Sequence, residues 1–484
     1  MVNGRADLRG ATAGAYLSLS VIHGEIIALI VALVVASLTH RSLRLERVMS
    51  VSALSDSDSD RNSDRKNQIA PPSDTNPPGR RRRGELTRPT AFAAIAVVFV
   101  LFMAASSAPS PLYVVYQQHW DFSATTLTTV FAVYVLGMIA ALLVLGSLSD
   151  HLGRRPVLLS AIALEAASMG LFLVADSVSL LLTARLVQGV ATGAAMTALG
   201  AALADLNPTH APHRAGVVTG AAPTFGLGLG ALGCGFLVEY GPHPTRLVYV
   251  LLLGGLVLAA AVVAALPETS LRRPGAARSL QPRLKVAPHL RADLLRLVPI
   301  LVASWALGGL YLSLGPSVVV GLFGLSSHVV GGLVVTLLTV PACLTAIALR
   351  AWPVARTLAL GAALLLTGTV VALTGVEEDS LLTAALGTVV AGVGFGASSL
   401  ASFGTLARMA APSERGELFS VAFVISYLSF SVPAVVAGIA ATHTGLHETS
   451  IAYAATVALL AALALLAQWL RSRQTAARAT CPQT

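Results

Sequence analysis

From Thr90 onward, long apolar runs alternate with short breaks marked by charged, Gly or Pro residues. The runs fall at 91–116, 125–149, 156–175, 179–203, 214–240 and 245–266, then at 297–322, 327–349, 356–376, 381–409, 416–442 and 450–470. A helix needs about 20 apolar residues to cross the hydrocarbon core of a bilayer. In lipid the backbone polar groups have no water to bond, so such runs must satisfy them internally, as helices do. The pattern therefore predicts an all-α integral membrane protein with twelve transmembrane helices. A polar, basic interval at 267–296 divides the twelve into six and six.

Ahead of the first run the pattern changes. Residues 49–89 are rich in Ser, Asp, Pro and Arg, a composition that cannot bury enough apolar surface to fold. Residues 1–48 contain an apolar run at 26–39 that is short for a span. They read either as an extra membrane helix or as an extension ahead of a translation start at Met49, and both readings stand. The expected organisation is thus an extension (1–48), a disordered basic tail (49–89), a first bundle (90–266), a linker (267–296), a second bundle (297–470) and a tail (471–484).

Composition supports the membrane assignment. The chain of 484 residues is 55% hydrophobic and 11% charged, against about 25% charged in soluble domains. Its net charge of +9 raises the possibility of a nucleic-acid partner, and placement removes it. Arg154, Arg155, Arg214, the 267–296 interval, Arg350, Arg356, Arg408, Arg415, Arg471 and Arg473 lie in every second loop or at the ends. The opposite loops carry Asp121, Asp176, Glu239, Glu377, Glu378 and Asp379. Basic loops stay cytoplasmic, so both termini are expected inside a plasma membrane. Cys234, Cys343 and Cys481 are too far apart to suggest a metal or redox site. No phosphate-binding Gly-rich loop and no paired-carboxylate constellation is visible, so the reading is a non-enzyme with no cofactor, partnered by the lipid bilayer and a small molecule.

The second break, 146–158, reads GSLSDHLGRRPVL. Gly146, Leu148, Asp150, Gly153, Arg154 and Arg155 form the pattern G-x-L-x-D-x-x-G-R-R. Asp150 sits where it can reach a neighbouring helix N-terminus or one of the arginines. This stretch resembles the loop between the second and third helices of the major facilitator superfamily of secondary transporters. His151 stands where that family more often has arginine. An internal repeat fits the two-bundle fold the resemblance implies: Gly189 and Gly193 in helix 4 recur as Gly392 and Gly396 in helix 10, 203 residues on. The same offset carries Arg154 to within one position of Arg356, whose loop lacks the aspartate and glycines.

Further residues extend the resemblance. Arg185, Gln188, Gly189 and Gly193 in ARLVQGVATG look like the family's helix 4 motif, whose arginine is associated with the substrate cavity and with proton transfer. An arginine inside a span costs about 2.5 kcal/mol or more, so it should face a wet cavity or a partner; snorkelling to the surface is the alternative. Glu165 lies near the middle of helix 3, where a Glu165–Arg185 pair is expected. The resemblance, which places helix 3 toward the periphery, offers instead a protonated carboxyl or one hydrogen-bonded within its own bundle. In helix 5, Gly220, Pro223 and Gly226 resemble the glycine–proline motif of the family's antiporters, with two alanines interrupting it. Close helix packing is the expected role of Gly189, Gly193, Gly220, Pro223 and Gly226. Leu266–Pro267–Glu268–Thr269 resembles the family's ending of helix 6, read as a helix terminator. Because the family lines its cavity with helices 1, 4, 7 and 10, Tyr113, Tyr116, Trp305 and Tyr311 are the expected substrate contacts. The implied function is proton-coupled efflux of a small molecule by a monomeric, multidrug-like transporter, with uptake by symport or a non-transporting receptor as alternatives.

Overall fold

The computed structural model describes residues 86–208, 214–270, 274, 280–281, 284, 286–411 and 414–479, with side chains as far as 470. The readings of 1–48, of 49–85 and of Cys481 lie outside the described residues. Among the described residues, twelve helices are long and apolar enough to cross a membrane. They are α1 Arg88–Trp120, α2 Ala124–Leu145, α3 Arg154–Leu173, α4 Val178–Asp205, α5 Arg214–Tyr240 and α6 Leu247–Ala264. The second set is α7 Pro288–Ser313, α8 His328–Ala348, α9 Val354–Glu377, α10 Leu381–Met409, α11 Arg415–Thr444 and α12 Leu446–Leu470.

Boundaries differ from the hydropathy pattern where local chemistry outweighs it. α1 begins at Arg88, inside the expected tail, with a proline in its first turn, a position where the missing N–H does no harm. At Ala108 it divides into Arg88–Ser107 and Pro109–Trp120. α7 starts at Pro288, well before 297, because the amphipathic stretch 288–296 packs Leu290 and Leu294 against Leu406 and Leu418. The run at 297–322 is divided near Gly315–Pro316: α7 ends at Ser313 and a short helix, Gly315–Phe323, follows. The last helix continues beyond Leu470 to Ala479, so that part of the tail is helical.

Small residues set the packing. A Cβ on Gly189 would land on the carbonyl oxygen of Tyr134, and one on Gly193 would lie 2.6 Å from that of Met138, so α4 lies directly on α2. A Cβ on Gly392 would lie 2.5 Å from the Leu338 carbonyl, and one on Gly396 would fall on that of Ala342, so α10 lies on α8 in the same register. The repeat in the sequence is therefore a repeat in helix contact, and the two bundles are pseudo-symmetric. Gly226 and Gly230 let α5 approach α1 at Val100 and Ala104 in the same way. Gly220 departs from the expectation, because it is exposed and a Cβ there would meet nothing within 4 Å, so it is not a packing position. Pro223 lies inside α5 without ending it.

The bundles meet through α2 with α11 and α5 with α8. Phe131, Tyr134, Val135 and Met138 join Ala231, Leu312, Val335, Tyr427, Phe430 and Ala434 in one buried cluster that spans the join. Polar contacts tighten it at mid-depth and at the end remote from 146–158. Thr125 Oγ1 donates to the Gly438 carbonyl at 3.2 Å, Thr336 Oγ1 to the Gly228 carbonyl at 3.1 Å, and the His328 backbone N–H to Glu239 Oε2 at 2.7 Å.

Overpacking a tight contact costs about 1–3 kcal/mol. Gly189→Ala and Gly392→Ala should each lower the thermal unfolding temperature of the purified protein, whereas Gly216→Ala, which meets open space, should leave it unchanged. Equal shifts for all three would refute this account of the packing.

Candidate functional site

The first bundle encloses a polar cluster. Arg185 on α4 is 1% exposed, so it does not snorkel. Its Nη1 donates to the Ser106 carbonyl at 3.0 Å and to Gln188 Oε1 at 2.6 Å. Gln188, one turn on from Arg185, passes the connection along, since its Nε2 donates to Glu165 Oε1 at 3.1 Å and to the Ala105 carbonyl at 3.0 Å. Thr192 Oγ1 donates to Glu165 Oε2 at 3.5 Å. No direct Glu165–Arg185 ion pair forms, contrary to expectation: Gln188 sits between them as an amide bridge. Glu165 is fully buried against α4 and hydrogen-bonded within its own bundle, as the alternative drawn from the resemblance has it.

Aromatic rings complete the setting. Tyr113, Tyr134 and Phe172 surround the guanidinium, with ring centroids 5.2, 5.4 and 5.7 Å from Cζ. Cation–π contact strengthens when water is excluded, so the rings supply stabilisation that the unpartnered Nε of Arg185 lacks. Tyr134 OH donates to Ser106 Oγ at 3.1 Å. Because Tyr134 also belongs to the cluster between the bundles, the polar cluster borders the join directly. Tyr134 and Thr192 were not recognisable from sequence, since each reads as an ordinary residue of an apolar helix.

The loop 146–158 forms a second constellation. Arg154 Nη1 lies 2.5 Å from Asp150 Oδ1, and its Nε donates to Asp205 Oδ2 at 3.1 Å. Of the two partners the sequence offered Asp150, the structure shows the arginine. Glu268 accepts from the backbone N–H of Arg154 at 2.8 Å and of Arg155 at 3.1 Å. A carboxylate is favoured there because the first N–H groups of a helix are unpaired and the dipole is positive. Glu268 thus clamps the start of α3, a role beyond the helix termination read from its sequence. Gly153 makes room with φ +102°, and a Cβ there would sit 2.8 Å from the Glu268 carboxylate. His151 Nδ1 stays local, 3.1 Å from the Ser147 carbonyl.

Between the bundles, at this same end, lies a cavity of about 710 Å³. Gly146, Ser147, Asp150 and His151 form one side, and Gly416, Glu417, Phe419, Ser420, Phe423 and Tyr427 of α11 the other. Phe419, Phe423 and Tyr427 recur every four residues, which places them on one helix face. Trp305 joins them, with centroids 4.9 Å from Tyr427 and 6.4 Å from Phe403. The fourfold aromatic spacing was the available signal for this wall. The other expected contacts lie elsewhere. Tyr113 is enclosed by the Arg185 cluster, Tyr116 OH donates to Tyr249 OH at 3.2 Å within the first bundle, and Tyr311 faces a separate cavity in the second bundle.

The family profile described as Major Facilitator Superfamily matches residues 95–354. Among solved structures, the chain is similar to a bacterial homologue of the human lysosomal transporter Spinster, in an inward-facing, unoccupied conformation. The TM-score is 0.60 at 14% identity, over 79% of this chain and 97% of that one. It is also similar to the human organic anion transporter MFSD10 (TETRAN), with TM-score 0.57 at 20% identity, over 78% of this chain and 100% of that one.

Removing one member of a buried charged network leaves the other uncompensated, at about 3–5 kcal/mol. Arg185→Leu should destabilise the protein on that scale, and distinctly less in a Glu165→Gln background. A double-mutant cycle on unfolding temperature measures the difference; additive effects would show that the two charges are not coupled through Gln188.

Proposed function

The chain belongs to the major facilitator superfamily, and we propose that it is a secondary active transporter that exports a small molecule across the plasma membrane in exchange for protons, by alternating access. The observation that carries this reading is the Arg185–Gln188–Glu165 chain. Glu165 is a carboxyl sealed in a bundle, bonded to an amide that also holds a fixed cation. Ionised, it balances Arg185 and the cluster is neutral; protonated, it leaves the cluster with one positive charge. A proton therefore changes the electrostatics of a cluster that adjoins the join between the bundles through Tyr134. A ligand shifts a conformational equilibrium only by its differential affinity for the two states, and this cluster is where such a difference for protons can arise.

The loop supplies the gate. The distribution of arginines sets 146–158 on the cytoplasmic side, so the cavity beside it is the inward-facing opening. Asp150 and the start of α11, at Gly416 and Glu417, stand on facing walls. Closure brings Asp150 toward the start of that helix, whose positive dipole end attracts a carboxylate. Gly146, Gly153, Arg154 and Arg155, held by Asp205 and Glu268, position it.

The substrate class follows from the wall. The described lining residues are mostly apolar, both aliphatic and aromatic, with a few hydroxyls, His151, Gln281 and the carboxyls of Asp150 and Glu417, and no Lys or Arg among them. That favours a neutral or lipophilic molecule and disfavours an anion, unlike the organic anions in the description of MFSD10. Trp305, Phe419, Phe423 and Tyr427 are the proposed contacts.

Flux of a neutral and of a cationic lipophilic dye into inverted membrane vesicles, with and without an imposed pH gradient, tests the reading. Proton exchange predicts accumulation that requires an acid interior. Accumulation that requires the opposite gradient would indicate symport, and none for either dye a receptor. Glu165→Gln should remove the pH-gradient dependence while the protein remains folded. Asp150→Asn should slow flux about tenfold with normal membrane insertion, and full activity in that variant would count against the gate.

A further inference from the structure

A second cavity, of about 170 Å³, lies within the second bundle, apart from the one between the bundles. α7, Gly315–Phe323, α8, α9, α10 and α12 build it, at the end remote from 146–158. Its walls are aliphatic, with Leu310, Val334, Leu337 and Leu373 among them. Apolar cavities of about 150 Å³ stay dry and accept a benzene-sized ligand.

Two features point to what the cavity takes. Thr369 lines it and is 1% exposed, yet its hydroxyl has no hydrogen-bond partner among the described residues. A helical threonine can bond to the carbonyl one turn back, as Thr367 of the same helix does to Ala363 at 2.9 Å. Tyr311 and Thr388, also on the lining, satisfy each other at 2.8 Å, and Thr388 donates onward to the Ala384 carbonyl. Thr369 alone of the three is left without a partner. The rim is acidic. Val376 and Leu381 both line the cavity, and the tight turn between them carries Glu377, Glu378 and Asp379, all exposed. Among the described residues these three form no ion pair of 4.0 Å or less with a basic side chain. Leu333 and Leu381 line the cavity and are 38% and 41% exposed, so its wall reaches the bundle surface.

We propose that this cavity is a binding site for an amphiphilic amine, with an apolar ring or short alkyl segment inside and the cationic head at the Glu377–Glu378–Asp379 turn. An ether or carbonyl oxygen within the buried segment, at the depth of Thr369 about two turns of α9 below Glu377, gives that hydroxyl the acceptor it lacks. Two sources share this chemistry: a bilayer lipid with an ethanolamine head, and a free lipophilic amine. The site depends neither on the direction of transport nor on its coupling, because it shares no residue with the Arg185 cluster or the gate.

Photolabelling of the full chain in phosphatidylglycerol nanodiscs tests it, with diazirine-bearing probes mapped by mass spectrometry. An alkyl trimethylammonium probe should label the cavity stretches of α8, α9 and α10, and the matching alkyl alcohol several-fold less. Ala385→Phe, which fills the cavity, should abolish that labelling. Neutralising the exposed turn (E377Q, E378Q, D379N) should lower it about fivefold, the scale of ~1 kcal/mol for exposed charges, while leaving alcohol labelling and unfolding temperature unchanged. A phosphatidylethanolamine probe that labels the same stretches and resists displacement by free alkyl amine assigns the site to lipid; displacement assigns it to the solute. Absence of label from these stretches, equal labelling by the alcohol, or insensitivity to both variants overturns the proposal.

Discussion

Where α4 crosses α2, Gly189 rests on the Tyr134 carbonyl, and no side chain fits between the two backbones. Within a bilayer there is little hydrophobic force to press helices together, so such contacts rely on close van der Waals approach of small residues. The consequence reaches beyond packing. The close crossing draws Tyr134 within 5.4 Å of the Arg185 guanidinium and lets its hydroxyl reach Ser106. Gln188 precedes Gly189, so the contact that joins the helices also sets the residue linking Arg185 to Glu165. Widen it, and the cluster loses its ring, its hydrogen bonds and its connection to the join between the bundles.

The same crossing recurs in the second bundle, where Gly392 and Gly396 lie on the carbonyls of Leu338 and Ala342. There it surrounds no charge. The 203-residue offset sets Thr388 where the first bundle has Arg185, and Thr388 pairs with Tyr311 at 2.8 Å, while Trp305, Phe403 and Tyr427 stand in edge contact beside the central cavity. Two bundles of one architecture have thus diverged in chemistry, one holding a cation and a carboxyl, the other a wall of rings beside the central cavity and a small apolar chamber of its own.

The loop between α2 and α3 joins these parts in another way. Arg154 holds Asp150 and Asp205, and Glu268 holds the first N–H groups of α3. Every one of these contacts stays within the first bundle and the segment that leaves it. The wall of the cavity is therefore a preformed, rigid edge, and α11 faces it across open space.

Much of this was legible in the order of residues. Apolar runs of bilayer length must become helices, because no other structure satisfies their backbone in lipid, so twelve spans and two bundles followed from hydropathy and the glycine repeat alone. The Asp150–Arg154 contact in the loop 146–158 was one of two partners that local chemistry offered Asp150, and burial of Arg185 one of two readings. What the chain could not disclose is which faces of these helices meet. Hydropathy is uniform around a buried membrane helix, so nothing in it turns Glu165 toward Gln188 rather than Arg185, or Tyr311 into a side chamber rather than the central one. Those choices came from helix rotation, which depends on the neighbours each helix packs against. Tertiary structure alone decided them.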